Sequence, residues 1–236
     1  MIARIPSRAV FLDAGGVIVL PDRRLLAEAL VRIGVDIDPD AVPRAHYCAV
    51  RALDHAADKA TLPSVTPATR RDDYAAALFP QLGIVPGRAA EALAVWERLA
   101  DRDRSGEVLW REPTRGAAST IAALERAGNA VVVVTNSNGH AAENLATCGF
   151  AGLPVVDSTV VGAAKPDPRI FEIALARAAT TPAETVHVGD SLVSDVAGAR
   201  GAGITPIHFD PLRACRATDH LHVRTLAGIW RHVAPV

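Results

Sequence analysis

FLDAGGVIV, residues 11–19, is the stretch on which the reading of this chain turns. A hydrophobic run ends on Asp13, and two glycines, Gly15 and Gly16, follow at once. That places a carboxylate at the end of a buried strand, in a turn tight enough for a ligand to approach backbone N–H groups. Three later segments end on polar groups in the same way. AVVVVTNS runs into Thr135, Asn136 and Ser137, GAAKPDP offers Lys165, and TVHVGDSLVSD offers Asp190 and Asp195. Together they describe a divalent cation and a phosphoryl group held between acidic and basic side chains at one edge of a sheet.

Working outward, Ala9 to Asp13 reads as a short buried strand. From Pro21 to about Ser105 the texture is helical, with apolar residues at 25, 26, 29, 30 and 33 and Gly34 as a stop. No strand signal interrupts it, so a helical insertion is expected over 21–109. At Trp110 helix and strand begin to alternate. TRGAASTIAALERAG reads as a helix closed by Gly128, AVVVVTNS as a strand buried on both faces, GHAAENLATCGF as a helix and LPVVDSTVVG as a strand. DPRIFEIALARA reads as a helix, ETVHVGDS as a strand, DVAGARGAG as a helix, TPIHFDP as the last strand and LAGIWRHV as the last helix. Such alternation implies right-handed βαβ units and a mainly parallel α/β sheet.

Composition narrows the class. The chain has 236 residues, half of them apolar, which suits one large domain or a core domain with an insertion. A net charge of −1 gives no general pull toward nucleic acid or anionic membrane. No apolar run approaches the roughly 20 residues of a membrane span, and the N-terminus lacks a signal-peptide pattern. Cys48, Cys148 and Cys215 are scattered and outside any Cys-x-x-Cys spacing, so neither structural disulfides nor a zinc site is expected, and a cytoplasmic setting is. No nucleic-acid or membrane partner is expected; a monomer and a homodimer stay equally open. Lysine is scarce: Lys59 and Lys165 stand against 25 basic residues in all.

In open parallel sheets, ligands bind beyond the carboxyl ends of the strands. Asp13, Thr135 and Asp190 each fall at such an end, so neighbouring strands would bring them together. Carboxylates that close repel one another unless a cation sits among them, and an all-oxygen donor set favours Mg²⁺. Asp195 follows Asp190 closely enough to reach the ion directly or through water. Lys165 is the counter-charge for a phosphoryl group, or the group that keeps a nucleophilic carboxylate ionised. Thr135 supplies a hydroxyl and Asn136 an N–H to phosphate oxygens. A carboxylate can attack phosphorus to form an aspartyl phosphate.

Four ordered motifs carry a resemblance: DAGGV at Asp13, VVVVTNS at Thr135, KPDPRIFE at Lys165, and HVGDSLVSDVAGARGAG at Asp190 and Asp195. In these the chain resembles the haloacid dehalogenase-like (HAD) superfamily of hydrolases. The resemblance implies a Rossmann-like core over 1–20 and 110–236, with a C1-type helical cap over 21–109. It implies that Asp13 is the nucleophile, that Thr135 binds the phosphoryl group and that Lys165 stabilises it. It further implies phosphate contacts from Gly15, Gly16 and Asn136, and Mg²⁺ held by Asp13, Asp190, Asp195 and the Gly15 carbonyl. The activity it implies is phosphatase action on a small phosphorylated metabolite.

One departure matters. The family's phosphatases read Asp-x-Asp, the second Asp serving as general acid and base; here that position is Gly15. Such catalysis is typically worth about 10² to 10⁴ in rate. A good leaving group, a substitute acid, or binding without much turnover each accommodates the loss. Haloacid and phosphonate hydrolases also lack the second Asp. However, the Asp190 and Asp195 motif is of the magnesium type, which haloacid hydrolases do not need. The phosphonate reading needs a cap lysine; Lys59 is the only candidate, and its surroundings, LDHAADKATL, do not match that subfamily. Outside the motifs, His187 reads as a packed core histidine, and Trp96 and Trp110 as packing. His46, Tyr47, Arg51, Asp54, His55 and Lys59 read mostly as a solvated helix face, and Arg70 to Asp73 as a solvated run.

Overall fold

The computed structural model describes residues 4–59, 67–101 and 108–234, apart from the side chains of 58, 59 and 67–72. Lys59 as a reactive side chain, and Arg70, Arg71 and Asp72 as a solvated run, therefore lie outside the described residues. The chain divides into two compact units, Met1–Ile18 with Pro113–Val236, and Val19–Glu112.

The strands in chain order are β1 (Ile5–Pro6), β2 (Ala9–Leu12), β3 (Val19–Pro21), β4 (Trp110–Pro113), β5 (Ala130–Thr135), β6 (Val155–Asp157), β7 (Thr185–Gly189), β8 (Thr205–Phe209), β9 (Leu221–Val223) and β10 (Val233–Ala234). In the first unit, six of them form one parallel sheet in the order β6-β5-β2-β7-β8-β9. The expected mainly parallel α/β fold is the observed one. The central strands β2 and β7 are buried along their whole length, as strands of a sheet covered on both faces are; β2 is an unbroken apolar run, while β7 carries His187 between Val186 and Val188. Leu12 on β2 pairs with Val133 on one side and Val188 on the other. Asp13, Thr135 and Asp190 consequently leave three adjacent strands at the same edge.

The helices of this unit are α5 (Ala117–Arg126), α6 (Ala141–Leu145), α7 (Ser158–Val161), α8 (Pro168–Ala178) and α9 (Gly198–Gly201). Gly128 closes α5 with φ 87, a left-handed conformation that costs glycine little. Asp167 caps α8 by accepting from Arg169 N–H, with Pro168 in the first turn. Ile170, Phe171, Ala174 and Leu175 of α8 pack on Phe11, Val132, Val134 and Val156 from the sheet.

The sequence reading of this unit needs corrections, and DVAGARGAG is an α-helix only over Gly198–Gly201. LPVVDSTVVG is a strand only as far as Asp157, whose carboxylate accepts from Thr159 N–H and turns the rest into α7. TPIHFDP is not the last strand, because β9 and β10 follow it. LAGIWRHV is a 3₁₀ helix over Leu226–Arg231.

The second unit holds α1 (Arg23–Val31), α2 (Val42–Lys59), α3 (Pro67–Gln81) and α4 (Ala89–Ala100), with β3 and β4 paired as a two-stranded sheet. Asp22 caps α1, accepting from Arg24 N–H and Leu25 N–H at 3.0 Å each, and also pairs with Arg111 Nε at 2.6 Å. The unit has its own core, built around Leu26, Leu30, Val42, Leu78, Phe79 and Trp96. Trp96 and Trp110 pack edge to face at 6.4 Å, as packing residues should. On α2, Arg51 and His55 are exposed, but His46 and Asp54 are buried rather than solvated. His46 lies beside Ala45 and Ala49 on the buried face, and its Nδ1 is 2.7 Å from the Tyr74 hydroxyl, so its polar edge has a partner inside. Among the described residues, no helix is long and apolar enough to cross a membrane.

Candidate active site

The three carboxylates that the motifs supply do converge. Asp13, Asp190 and Asp195 each offer an oxygen, and these oxygens lie within 4.8 Å of one another. Asp13 leaves β2 with its backbone N–H on Val188 O at 2.9 Å, and its Oδ1 accepts from Ala14 N–H at 2.7 Å. Asp195 arrives from the wide turn Leu192–Ala197 and folds back over Gly189. A methyl group on Gly189 would overlap the Asp195 carboxyl, so the glycine before Asp190 is a steric requirement of the site.

Lys165 joins two of these acids. Its Nζ is 2.8 Å from Asp13 Oδ1 and 2.6 Å from Asp195 Oδ1, and the side chain is 1% exposed. The backbone around it is clamped: Asn136 Oδ1 accepts from Lys165 N–H at 2.8 Å, and Asn136 Nδ2 donates to Lys165 O at 2.9 Å. Lys165–Pro166 is a cis peptide, and Gly198 lets Pro166 and Phe171 approach its backbone where a Cβ would stand 3.0 Å from each.

The electrostatics follow from burial and neighbours. Burial pushes the Asp13 carboxyl up, Asp195 and Asp190 push the same way, and Lys165 opposes them; the result is about 7. For Asp195, burial is outweighed by Lys165 and His187, which hold its carboxyl well below the usual range. For Lys165, burial is outweighed by Asp13 and Asp195, which keep it a cation. The pocket thus holds one firmly ionised acid, one ammonium and one acid that takes a proton readily. A divalent cation would relieve that repulsion, and three carboxylate oxygens are a hard donor set suited to Mg²⁺.

Thr135 stands buried at the end of β5, on the same edge. Gly15 contributes only backbone, and Gly16 takes the left-handed conformation at φ 76. The Asn136 side chain is spent on Lys165, which leaves only its backbone N–H for a ligand.

Two residues of the arrangement were not assigned to it from sequence. His187 is buried on β7 as a core histidine should be, yet its Nε2 is 2.8 Å from Asp195 Oδ1. Burial lowers its pKa, so the neutral ring donates Nε2–H to that oxygen. Asp157 is also buried, and it accepts from Gly139, Ala141 and Thr159 N–H groups, tying down the loop after Thr135. The histidine's place one strand-register beside Phe11 was the available signal; Asp157 was hidden inside an apolar run.

A family model for haloacid dehalogenase-like hydrolases matches residues 7–203. The chain belongs to the haloacid dehalogenase-like hydrolases. Within them, it is 36% identical over 104 residues to haloacid dehalogenase-like hydrolase domain-containing protein 3 of Mus musculus, covering 43% of this chain and 41% of that protein. It is 37% identical over 102 residues to a phosphoserine phosphatase of Thermus thermophilus, covering 42% and 40%. The match thus spans less than half the length of these curated relatives. In structure, this haloacid dehalogenase-like hydrolase resembles the magnesium-bound HAD-hydrolase YfnB of Bacillus subtilis, with a TM-score of 0.67, 19% identity, and 96% and 98% of the two chains covered. At that identity the likeness speaks for the fold alone.

Proposed function

We propose that this hydrolase is a Mg²⁺-dependent phosphatase that cleaves a small phosphorylated metabolite through an aspartyl phosphate on Asp13. The observation that carries this reading is the buried Lys165 ammonium on both Asp13 and Asp195, beside Asp190, at the carboxyl edge of the sheet. The match to a phosphoserine phosphatase supports phosphomonoester chemistry.

In this reading an Asp13 oxygen attacks phosphorus as the bond to the leaving oxygen breaks. Water then splits the acyl phosphate, releasing inorganic phosphate and restoring the carboxylate. Lys165 opposes the burial that favours protonated Asp13 and meets the charge on the phosphoryl oxygens. Thr135 and the Asn136 N–H orient those oxygens. Asp13, Asp190 and Asp195, with the Gly15 carbonyl, are the groups that would hold Mg²⁺, which when bound neutralises charge on the phosphoryl group. Gly15 supplies no proton to the leaving oxygen. Substrates whose leaving group departs as a stable anion, such as acyl or aryl phosphates, are therefore favoured. The unit Val19–Glu112 is assigned the part of a C1-type cap that chooses the substrate. The setting is read as cytoplasmic from the three free, scattered cysteines, and a net charge of −1 gives no pull toward a nucleic-acid or anionic-membrane partner.

Hydrolysis of an aryl phosphate, with and without Mg²⁺, by the wild-type protein and Asp13→Asn tests the reading. Magnesium-dependent turnover that vanishes in the variant is expected. Turnover untouched by Asp13→Asn overturns the mechanism. Phosphate binding without turnover would instead favour a phospholigand-binding protein, the reading that Gly15 keeps alive.

A further inference from the structure

A second set of ligand-type side chains gathers at the β9 edge of the sheet, on β8, β9 and the loop between them, one strand beyond β7, which leads into Asp190. His208 and His222 are register partners on the two strands. Cys215 and His220 come from the loop, where the Asp210 carboxylate accepts from Ala214 N–H and Cys215 N–H at 3.0 Å each and fixes the turn. One donor atom of each of the four lies within 4.8 Å of one from every other.

The hydrogen bonds of the three imidazoles set their tautomers. His208 Nε2 is 3.2 Å from Asp190 O, His222 Nε2 is 3.0 Å from Ala217 O, and His220 Nδ1 is 2.8 Å from Asp219 Oδ1. Each partner is an oxygen that can only accept, so each of these nitrogens carries the proton. The lone pairs are left on His208 Nδ1, His222 Nδ1 and His220 Nε2. Burial lowers the pKa of His208 and His220, which keeps both rings neutral. His208 Nδ1 is buried with no hydrogen-bond partner among the described residues. The Cys215 thiol, 3.7 Å from His220 Nε2, has one weak proton for three acceptors. Protein groups alone do not satisfy the cluster.

We propose that His208, Cys215, His220 and His222 bind a zinc-class transition-metal ion at a site separate from the carboxylate centre. Three imidazole nitrogens and one thiolate form a borderline donor set that suits Zn²⁺ and not Mg²⁺. Bonds of about 2.0 to 2.3 Å place tetrahedral ligands roughly 3.3 to 3.8 Å apart, and the Cys215–His220 separation is already in that range. Asp219 on His220 is the carboxylate–histidine arrangement that orients a ligand and raises its basicity. On binding, Cys215 loses its proton to solvent and its sulfur takes the fourth position. The spacing His-x₆-Cys-x₄-His-x-His contains no Cys-x-x-Cys pair, which is why the sequence pattern argued against zinc.

The test is metal analysis of the whole protein after dialysis against metal-free buffer supplemented with Mg²⁺. About one zinc per chain is expected, retained by Asp13→Asn and lost by His222→Gln and Cys215→Ser. Cobalt loading of the wild-type protein should give a thiolate-to-metal charge-transfer band that Cys215→Ser removes. Asp219→Asn, a surface change that leaves all four ligands in place, should weaken zinc binding roughly 10- to 100-fold. Circular dichroism of each variant separates lost binding from lost folding. The site is overturned if the folded wild-type protein takes up no zinc on titration. It is equally overturned if the ligand variants hold zinc as well as the wild type does, or if Asp13→Asn is what removes it.

Discussion

Lys165 is held by two carboxylates in a place that water does not reach, and this makes it the least replaceable side chain of the pocket. Lys165→Met leaves buried acids uncompensated; breaking such a pair typically costs about 3 to 5 kcal/mol. We expect a matching fall in stability by denaturant titration and a loss in kcat of at least about 10²-fold, the scale for removing one preorganised donor. Asp13 gives a pH signature. In the cation-free protein its pKa is raised to about 7 from 3.8. The folded state therefore keeps a proton that the unfolded state has lost, and this contribution to stability fades as pH rises from about 4 through 7. A cation competes with that proton, so Mg²⁺ should raise Tm more at pH 8 than at pH 5.5, as differential scanning calorimetry can check; an equal rise at both would refute it. Gly15, unlike Gly16, has no positive φ to protect. Gly15→Asp should therefore fold, and should raise turnover of alkyl phosphates by about 10²- to 10⁴-fold if the pocket lacks only an acid.

Among the elements, the long apolar runs were legible and the short edge pieces were not. AVVVVT has one reading in a covered sheet, and β5 lies where that reading put it. β9 is three residues long and β10 two, too few for an alternating pattern to register. DSTVV deceived because its β-branched residues favour a strand while its aspartate favours a cap, and the cap prevailed. In the acidic motif, Gly189 is the gap into which the Asp195 carboxyl folds, which brings that carboxyl back beside Asp190. Gly189→Ala forces that overlap, and overpacking of this kind typically costs about 1 to 3 kcal/mol. The expected result is a destabilised protein with Mg²⁺ affinity reduced in calorimetric titration. In the inserted unit, Asp22→Ala removes a cap worth about 1 kcal/mol. Burial raises the Asp22 pKa, but hydrogen bonds from Leu25 and Arg111 outweigh it and lower the value below 3.8. Its stabilisation should hold above that pH and fade as pH falls further, so wild type and variant should converge in acid.

At the level of the whole molecule, the sequence disclosed the parallel core and the helical insertion, because each has its own hydrophobic period and its own core. It did not disclose the side-chain company of His46, His187 or the His208 cluster. Those depend on contacts between residues far apart in the chain, or on tautomers that no pattern encodes. The first unit is interrupted between Ile18 and Pro113, yet Thr114 N–H donates to Ile18 O at 2.8 Å. Joining Ile18 to Pro113 through a short glycine linker, with 19–112 removed, should leave a cooperatively melting core that still binds Mg²⁺. A chain without a cooperative transition would show that the two units fold only together. The two ends of the inserted unit, about a hundred residues apart along the chain, meet within one hydrogen bond, so an insert of another length could be joined there without lengthening the strand and turn on either side.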